Sequence, residues 1–294
     1  MISIIITSFH EPNLKNCVDS FLNQVIDYAY ELVVVSPDKE SEELVKSYNK
    51  KNIRYFFDPG KGKSYALNLV FKESKSDILI LTDGDVFVSK SSVNEIVKKF
   101  EDPKVGVVSG RPVSLDKRDS MFGYWSHFLL DIGAHEISRK KRYEKGQFLE
   151  ATGYLFAIRH GVIKEIPVDV AEDTTIPYLF FKKGYKIAYA ENAKVFVKWP
   201  NNMKDWLKQK KRAADAHTKL TKYYPDFPKV KSFFNEILEG FSFKVLKYPK
   251  NIKEIFWTFW LYLIRFYMWL SLFFDLKFRR REYKDAWERV DSTK

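Results

Sequence analysis

Short apolar runs alternate with stretches of helical periodicity through the N-terminal part of the chain. Ser3–Thr7, Glu31–Val35, Ile53–Phe57, Ile78–Thr82 and Val105–Ser109 predict buried strands. Between them, Pro12 opens a helix with Val18, Phe21 and Leu22 on one face, and a polar helix runs from Glu40 to Lys50. Ser64–Phe71 and Ser91–Phe100 are also helical in pattern. Strands that alternate with helices through short connections predict an α/β fold with a parallel, doubly wound sheet. No repeat and no low-complexity linker interrupts it.

The pattern changes after Asp116, where Met121, Trp125, Phe128, Leu129 and Ile132 recur at helical spacing in a segment of mixed aromatic and basic character. Thr152–Ile158 then predicts a strand and Thr174–Lys183 a helix. Ile187–Tyr189 and Lys194–Val197 predict a closing pair of strands, and Met203–Tyr223 a basic helix. Past Pro225, residues 230–247 form an amphipathic stretch with Phe233, Phe234, Ile237, Leu238, Phe241 and Phe243. The expected division is a catalytic domain over residues 1–224 and a membrane-associated helical region with a basic tail over 225–294.

Ile255 to Phe274 is apolar apart from Thr258, Arg265 and Ser271. Twenty helical residues cover about 30 Å, the thickness of a bilayer core. Arg265 at its centre costs roughly 2.5–3.5 kcal/mol on insertion scales, which several Leu, Ile and Phe offset. Trp257, Trp260 and Trp269 suit the headgroup level. Lysines precede the segment, and Lys277, Arg279, Arg280 and Arg281 follow it. With basic clusters on both sides, the positive-inside rule leaves two arrangements open, a spanning helix and one lying in the interface. Either one associates the chain with membrane lipid.

Composition narrows the class of partner. The chain of 294 residues carries a net charge of +12 and is 17% aromatic. That charge favours an anionic partner. No DNA- or RNA-binding motif accompanies it, so nucleic acid is not expected. Cys17 is the sole cysteine, which excludes an internal disulfide and any cysteine-rich metal site. The first apolar run lacks a basic leader and a cleavage site and is too short for a signal peptide, so the catalytic part is expected in the cytoplasm.

Candidate chemistry collects at strand ends. Leu79-Ile80-Leu81-Thr82 terminates in Asp83-Gly84-Asp85, and ligands of open α/β sheets bind beyond such ends. Two carboxylates there either hold a divalent cation such as Mg²⁺ or Mn²⁺, or form an ordinary Asp-Gly turn. Thr7-Ser8-Phe9-His10-Glu11-Pro12 follows the first strand, and Ser36-Pro37-Asp38 the second. Gly60-Lys61-Gly62-Lys63-Ser64 suggests a P-loop, but Phe57 stands where Walker A requires glycine, leaving a loop suited to a diphosphate or a solvated turn. Ala171-Glu172-Asp173 precedes a helix, where a carboxylate either caps or acts as a base, and Glu172 is expected to point away from the site. Trp206, Gln209 and Arg212 share one helix face.

This ordered set, T-S-F-H-E, P-D, G-K-G-K-S-Y-A-L-N, D-G-D, A-E-D and Q-K-K-R, resembles the family-2 glycosyltransferases of the GT-A fold, in particular the membrane-bound, cellulose-synthase-like branch. The resemblance covers about residues 1–215. It implies a metal-dependent, inverting hexosyltransferase using a nucleotide-diphosphate sugar. Thr7, Glu11, Asp38, Lys63 and Asp83 would bind the donor, with Asp85 the principal ligand of Mn²⁺ or Mg²⁺ beside Asp83. Asp173 would be the catalytic base. Gln209 and Arg212 would bind acceptor and diphosphate.

Two departures bear on the substrate. Ala213 replaces the tryptophan of the Q-x-x-R-W motif, so the stacking platform is either missing or supplied by Trp206. The adjacent aspartates after the second strand are reduced to Ser36-Pro37-Asp38. The short hydrophobic tail argues against a secretion channel and for transfer to a polyprenyl-linked saccharide. The alternatives are a polyprenyl-phosphate sugar synthase, whose phosphate acceptor needs no base, and a non-catalytic membrane scaffold.

Overall fold

In the computed structural model, residues 1–228, 230, 243–274 and 291–293 are described. Phe233, Phe234, Ile237, Leu238, Phe241 and the basic run Lys277 to Arg281 lie outside them. The strands are β1 (Ile2–Thr7), β2 (Tyr30–Ser36), β3 (Ile53–Phe57), β4 (Ile78–Asp83), β5 (Phe87–Val88), β6 (Val105–Ser114), β7 (Leu155–Arg159) and β8 (Lys186–Val197). They form one sheet in the order β3-β2-β1-β4-β7-β6-β8-β5. Its helices begin with α1 (Leu14–Leu22), α2 (Lys39–Ser47), α3 (Lys63–Glu73) and α4 (Ser92–Lys98). Fully buried Ile4, Ile6, Leu32 and Val34 turn one way from the central strands, and Ile5, Val33, Val35 and Leu79 the other. Each such side chain contributes about 1.5–3 kcal/mol on burial, and cover on both faces explains why these strands read as unbroken apolar runs.

The sheet is not parallel throughout, as the alternating pattern predicted. β3, β2, β1 and β4 run parallel, but β7 enters antiparallel between β4 and β6. An apolar run carries no signal of strand direction, which explains the difference. The consequence is functional: the residues leading into β7 arrive at the same edge as the ends of β1 and β4. The expected pair of closing strands is one strand, β8, because the polar Glu191-Asn192 interruption is absorbed as an irregularity against β6 between Ser109 and Arg111. The short β5, unforeseen in the pattern, pairs with β8.

The aromatic segment forms α5 (Met121–Phe128), a π-helical stretch (Leu129–Lys140) and α6 (Lys141–Glu144). α7 (Glu172–Lys182) and α8 (Met203–Tyr223) follow, then a short α9 (Phe243–Lys247) and the apolar α10 (Ile252–Phe274). Among the described residues, α10 is the one helix long and apolar enough to cross a membrane. It packs on α5 and α8 through a cluster that includes Tyr124, Trp125, Phe128, Trp206 and Leu261.

Candidate functional site

Register places the first elements of the site. Thr7 pairs with Asp83 at the ends of β1 and β4. The Thr7 hydroxyl donates to the Thr82 carbonyl at 3.1 Å and to Asp83 Oδ1 at 3.3 Å, and Gly84 N donates to the Thr7 carbonyl at 2.9 Å. Thr7 is therefore buried and holds Asp83 in place, and its donor proton is not offered to a ligand. On the other side, the Thr82 hydroxyl donates to the Tyr154 carbonyl at 2.6 Å, which fixes the Thr152-Gly153-Tyr154 approach to β7 beside Asp83.

α3 explains the stretch read as a diphosphate loop. Gly62 precedes it at φ 107°, a backbone region that glycine enters freely. Three side chains of α3 then clamp the segment leading into α7. Ser64 Oγ donates to the Val170 carbonyl at 3.1 Å. Asn68 brackets Ile166, donating to its carbonyl at 2.8 Å and accepting from its amide at 2.9 Å. Lys63 Nζ lies 2.6 Å from Asp83 Oδ1 and 2.6 Å from Glu172 Oε1. Burial alone would lower the Lys63 ammonium, but Asp83 and Glu172 outweigh it and hold the group charged.

Glu172 thus corrects the expectation that it points away. It is buried and tied to the D-x-D strand end through Lys63. Consecutive residues of a helix start diverge by about 100°, so Glu172 can meet Lys63 while Asp173 faces elsewhere. Asp173 does face Gly153: a methyl group built on that glycine would stand 3.2 Å from Asp173 Oδ2. The N-cap position of α7 is Ala171, without a side-chain cap bond. Glu172→Gln keeps the shape but removes one charge-assisted contact of Lys63. It should cost about 1.5–3 kcal/mol of unfolding free energy in a urea titration. An unchanged midpoint would mean that Asp83 alone holds the lysine.

Asp85 sits beyond Asp83, and its Oδ1 is buried with no hydrogen-bond partner among the described residues. Burial, with the Asp83 and Glu11 carboxylates adding to it, pushes the Asp85 carboxyl up to about 7. A buried carboxylate oxygen with no donor among the described residues, under the field of two further carboxylates, fits a bound cation of the hard, oxygen-seeking kind. A second group, His10, Asp38 and Glu40, offers ligand atoms within 4.8 Å of one another. Asp38 is less available than that spacing suggests. Its Oδ1 caps α2 by accepting from Ser41 N at 2.9 Å, and its Oδ2 accepts from His10 N at 2.8 Å and from the Ser36 hydroxyl. Burial would raise this carboxyl, but those donors prevail and hold it at about 2. Glu11 accepts from Asn13 N at 3.0 Å while lying near Asp85.

On α8 the three predicted residues separate. Trp206 is fully buried against Trp125, with ring centroids 5.4 Å apart, so it offers no face to an acceptor, which favours the alternative in which the platform is missing. An indole spared from water by its neighbours is worth more to the core than to a ligand. Arg212 is exposed and acts electrostatically on the Tyr154 hydroxyl, whose ionisation is opposed by burial and by Asp85 and Asp83. Gln209 Oε1 is buried with no partner among the described residues. Tyr154 and buried Arg139 were not singled out in the sequence. Arg139 donates to the Ala151 carbonyl at 3.1 Å and interacts electrostatically with Glu150 and Asp173. The T-G-Y turn before a strand is a faint signal for the tyrosine, and nothing local marks the arginine.

Residues 3–167 match the family model for glycosyl transferase family 2. The N-acetylglucosaminyltransferase of Rhizobium meliloti (strain 1021) is 24% identical over 238 residues, covering 72% of this chain and 54% of the relative. The probable glycosyltransferase YdaM of Bacillus subtilis (strain 168) is 26% identical over 216 residues, covering 68% and 51%. The poly-beta-1,6-N-acetyl-D-glucosamine synthase of Staphylococcus aureus (strain MSSA476) is 22% identical over 273 residues, covering 87% and 62%. The chain spans about half the length of the curated relatives it matches. A family model that takes in the β1–β4 core, both carboxylates of the D-x-D turn and the approach to α7 leaves one conclusion: the chain belongs to glycosyl transferase family 2.

Proposed function

We propose that this chain transfers N-acetylglucosamine from a nucleotide-diphosphate carrier to a saccharide acceptor linked to a membrane polyprenyl lipid, with inversion at the anomeric carbon. The observation that carries the reading is the Lys63 bridge from Asp83 to Glu172. The bridge ties Asp83 at the strand end to Glu172 at the helix start, and with the approach of Asp173 to Gly153 it supports reading these carboxylates as one site. The sugar is suggested by relatives named for N-acetylglucosamine. Residues 1–224 would carry the transfer chemistry, on the cytoplasmic side, and 225–294 the membrane contact.

Position supports the following assignment of roles. Mg²⁺ or Mn²⁺ at Asp85 and Asp83 would neutralise charge on the departing diphosphate. Asp173 takes the proton of the acceptor hydroxyl as that oxygen attacks opposite the leaving group. Arg212 and Gln209 meet the diphosphate and acceptor from α8. Asp38 and Glu11 face the nucleoside, and Asp38 keeps spare lone pairs for a ribose or base donor. Lys63 holds the two halves of the site together and approaches the diphosphate from there.

A thermal-shift panel of nucleotide-diphosphate sugars, each with and without Mn²⁺, tests the donor. Ligand at a hundred times its Kd adds about 2.7 kcal/mol, which moves Tm by roughly 4–5 °C for a chain of this size. The N-acetylglucosamine donor should give the largest shift, and only with metal. A larger shift with another sugar would overturn the sugar assignment, and no shift with any would overturn the donor class.

A further inference from the structure

α10 has two unlike faces. Glu254, Thr258, Leu261, Met268 and Leu272 are buried, at spacings that line one side of a helix. Opposite them Phe256, Phe259, Leu263, Phe266, Leu270 and Phe273 follow one another in alternating steps of three and four, and all are exposed. The buried side is tied to the catalytic domain along its whole length. Arg118 Nε and Nη2 donate to the two Glu254 oxygens at 2.8 Å each. The Tyr124 and Thr258 hydroxyls share a hydrogen bond, and Trp125 Nε1 donates to the Trp257 carbonyl at 2.7 Å. Near the far end, Lys211 Nζ donates to Ser271 Oγ. Beyond the helix, Ser292 N donates to Asp205 Oδ2 at 3.3 Å, at the start of α8.

We infer that α10 lies flat in the membrane interface along the catalytic domain, with both ends on one side of the bilayer. A helix of this length measures about 34 Å, enough to span. Spanning, however, would draw its lateral partners with it. Arg118, Lys211 and the first turn of α8 would enter hydrocarbon, where charged groups lose their hydration and backbone polar groups find no water. Arg265, the charge that a spanning segment would carry through the bilayer centre, is half buried on the domain-facing side between Leu261 and Met268. Lying flat keeps every one of these groups on the aqueous flank and turns only the phenylalanine stripe to lipid.

The occupant of that stripe is lipid in preference to a second copy of the chain. Steps of three and four would also suit a coiled-coil seam, but such seams are bordered by Glu and Lys. Here the borders are Trp260, Tyr262 and Tyr267, residues of the headgroup level. Exposed Lys250 and Lys253 lead into the helix and suit anionic headgroups.

The orientation rests on the membrane contact proposed above and not on the transfer chemistry, and it is tested without an activity readout. Full-length protein with Cys17→Ser is bound to preformed, sealed phosphatidylcholine vesicles containing phosphatidylglycerol. Single substitutions Glu73→Cys, Lys250→Cys and Lys294→Cys are then probed with an impermeant maleimide. All three should label fully before lysis. Labelling of Lys294→Cys only after detergent would overturn the flat orientation and leave membrane contact standing. In parallel, Phe259→Asp with Phe266→Asp should lower the vesicle-bound fraction about tenfold or more, with the melting temperature and donor-induced shift retained. Vesicle binding equal to the parent would overturn the lipid-facing stripe. A parent that fails to bind vesicles and is a dimer that this double variant dissociates would assign the stripe to a second copy and sink membrane contact as well.

Discussion

Asp173→Asn should lower sugar transfer by a factor of about 10²–10⁴ per folded molecule, with donor affinity nearly unchanged. The substitution keeps the shape of the side chain against Gly153 and removes only its capacity to take a proton. A carboxylate is a weak base, so with Asp173 in that role proton removal would run late, alongside bond formation to the anomeric carbon. The loss therefore falls on turnover and spares donor binding. A purely structural Asp173 predicts the opposite. As a helix cap it would give near-normal turnover and a loss of about 1 kcal/mol in stability. That alternative is weakened already, because the N-cap of α7 is Ala171 and makes no side-chain cap bond. Steady-state transfer and calorimetric donor binding on one preparation separate the two. Transfer within a few-fold of the parent would remove Asp173 from the role of base.

Asp85→Ala should abolish metal-dependent donor binding and leave the fold intact. Its Oδ1 is buried without a donor among the described residues, an arrangement that costs free energy in the absence of a cation. Removing the carboxylate should therefore not destabilise the metal-free protein, and its Tm should hold or rise slightly. The same burial that pushes Asp85 up to about 7 sets a pH signature. The proton must leave before a cation binds, so metal-supported donor affinity should strengthen as pH rises through about 7. Isothermal titration with Mn²⁺ checks both points. Equal nucleotide-sugar affinity in parent and Asp85→Ala would put the metal elsewhere, and the His10, Asp38 and Glu40 group would be the first place to look.

Local chemistry made much of this molecule legible from its residues. β3 and α8 occupy the predicted ranges because apolar runs, breakers and helical periodicity act within a few residues of one another. The D-x-D strand end was legible for the same reason, as a buried run can stop only where polar groups reach solvent or a ligand. Trp206 shows the limit. Its spacing with Gln209 and Arg212 correctly put all three on one helix, but spacing does not say what covers each residue: Trp125 covers Trp206, while Arg212 stays exposed. Asp38 likewise proved to be a helix cap whose oxygens already accept three hydrogen bonds.

The sequence by itself determined the α/β class, the succession of strand and helix, the candidate carboxylates and an apolar C-terminal helix. These depend on side-chain period and on residue types that are neighbours in the chain. Only the tertiary structure decided the antiparallel entry of β7, the Lys63 bridge to Glu172, the placing of Asp173 against Gly153 and the docking of α10 along α5 and α8. Each of these joins groups far apart in sequence. Strand direction, burial and pairing of charges are properties of what the fold brings alongside, and no local pattern encodes them.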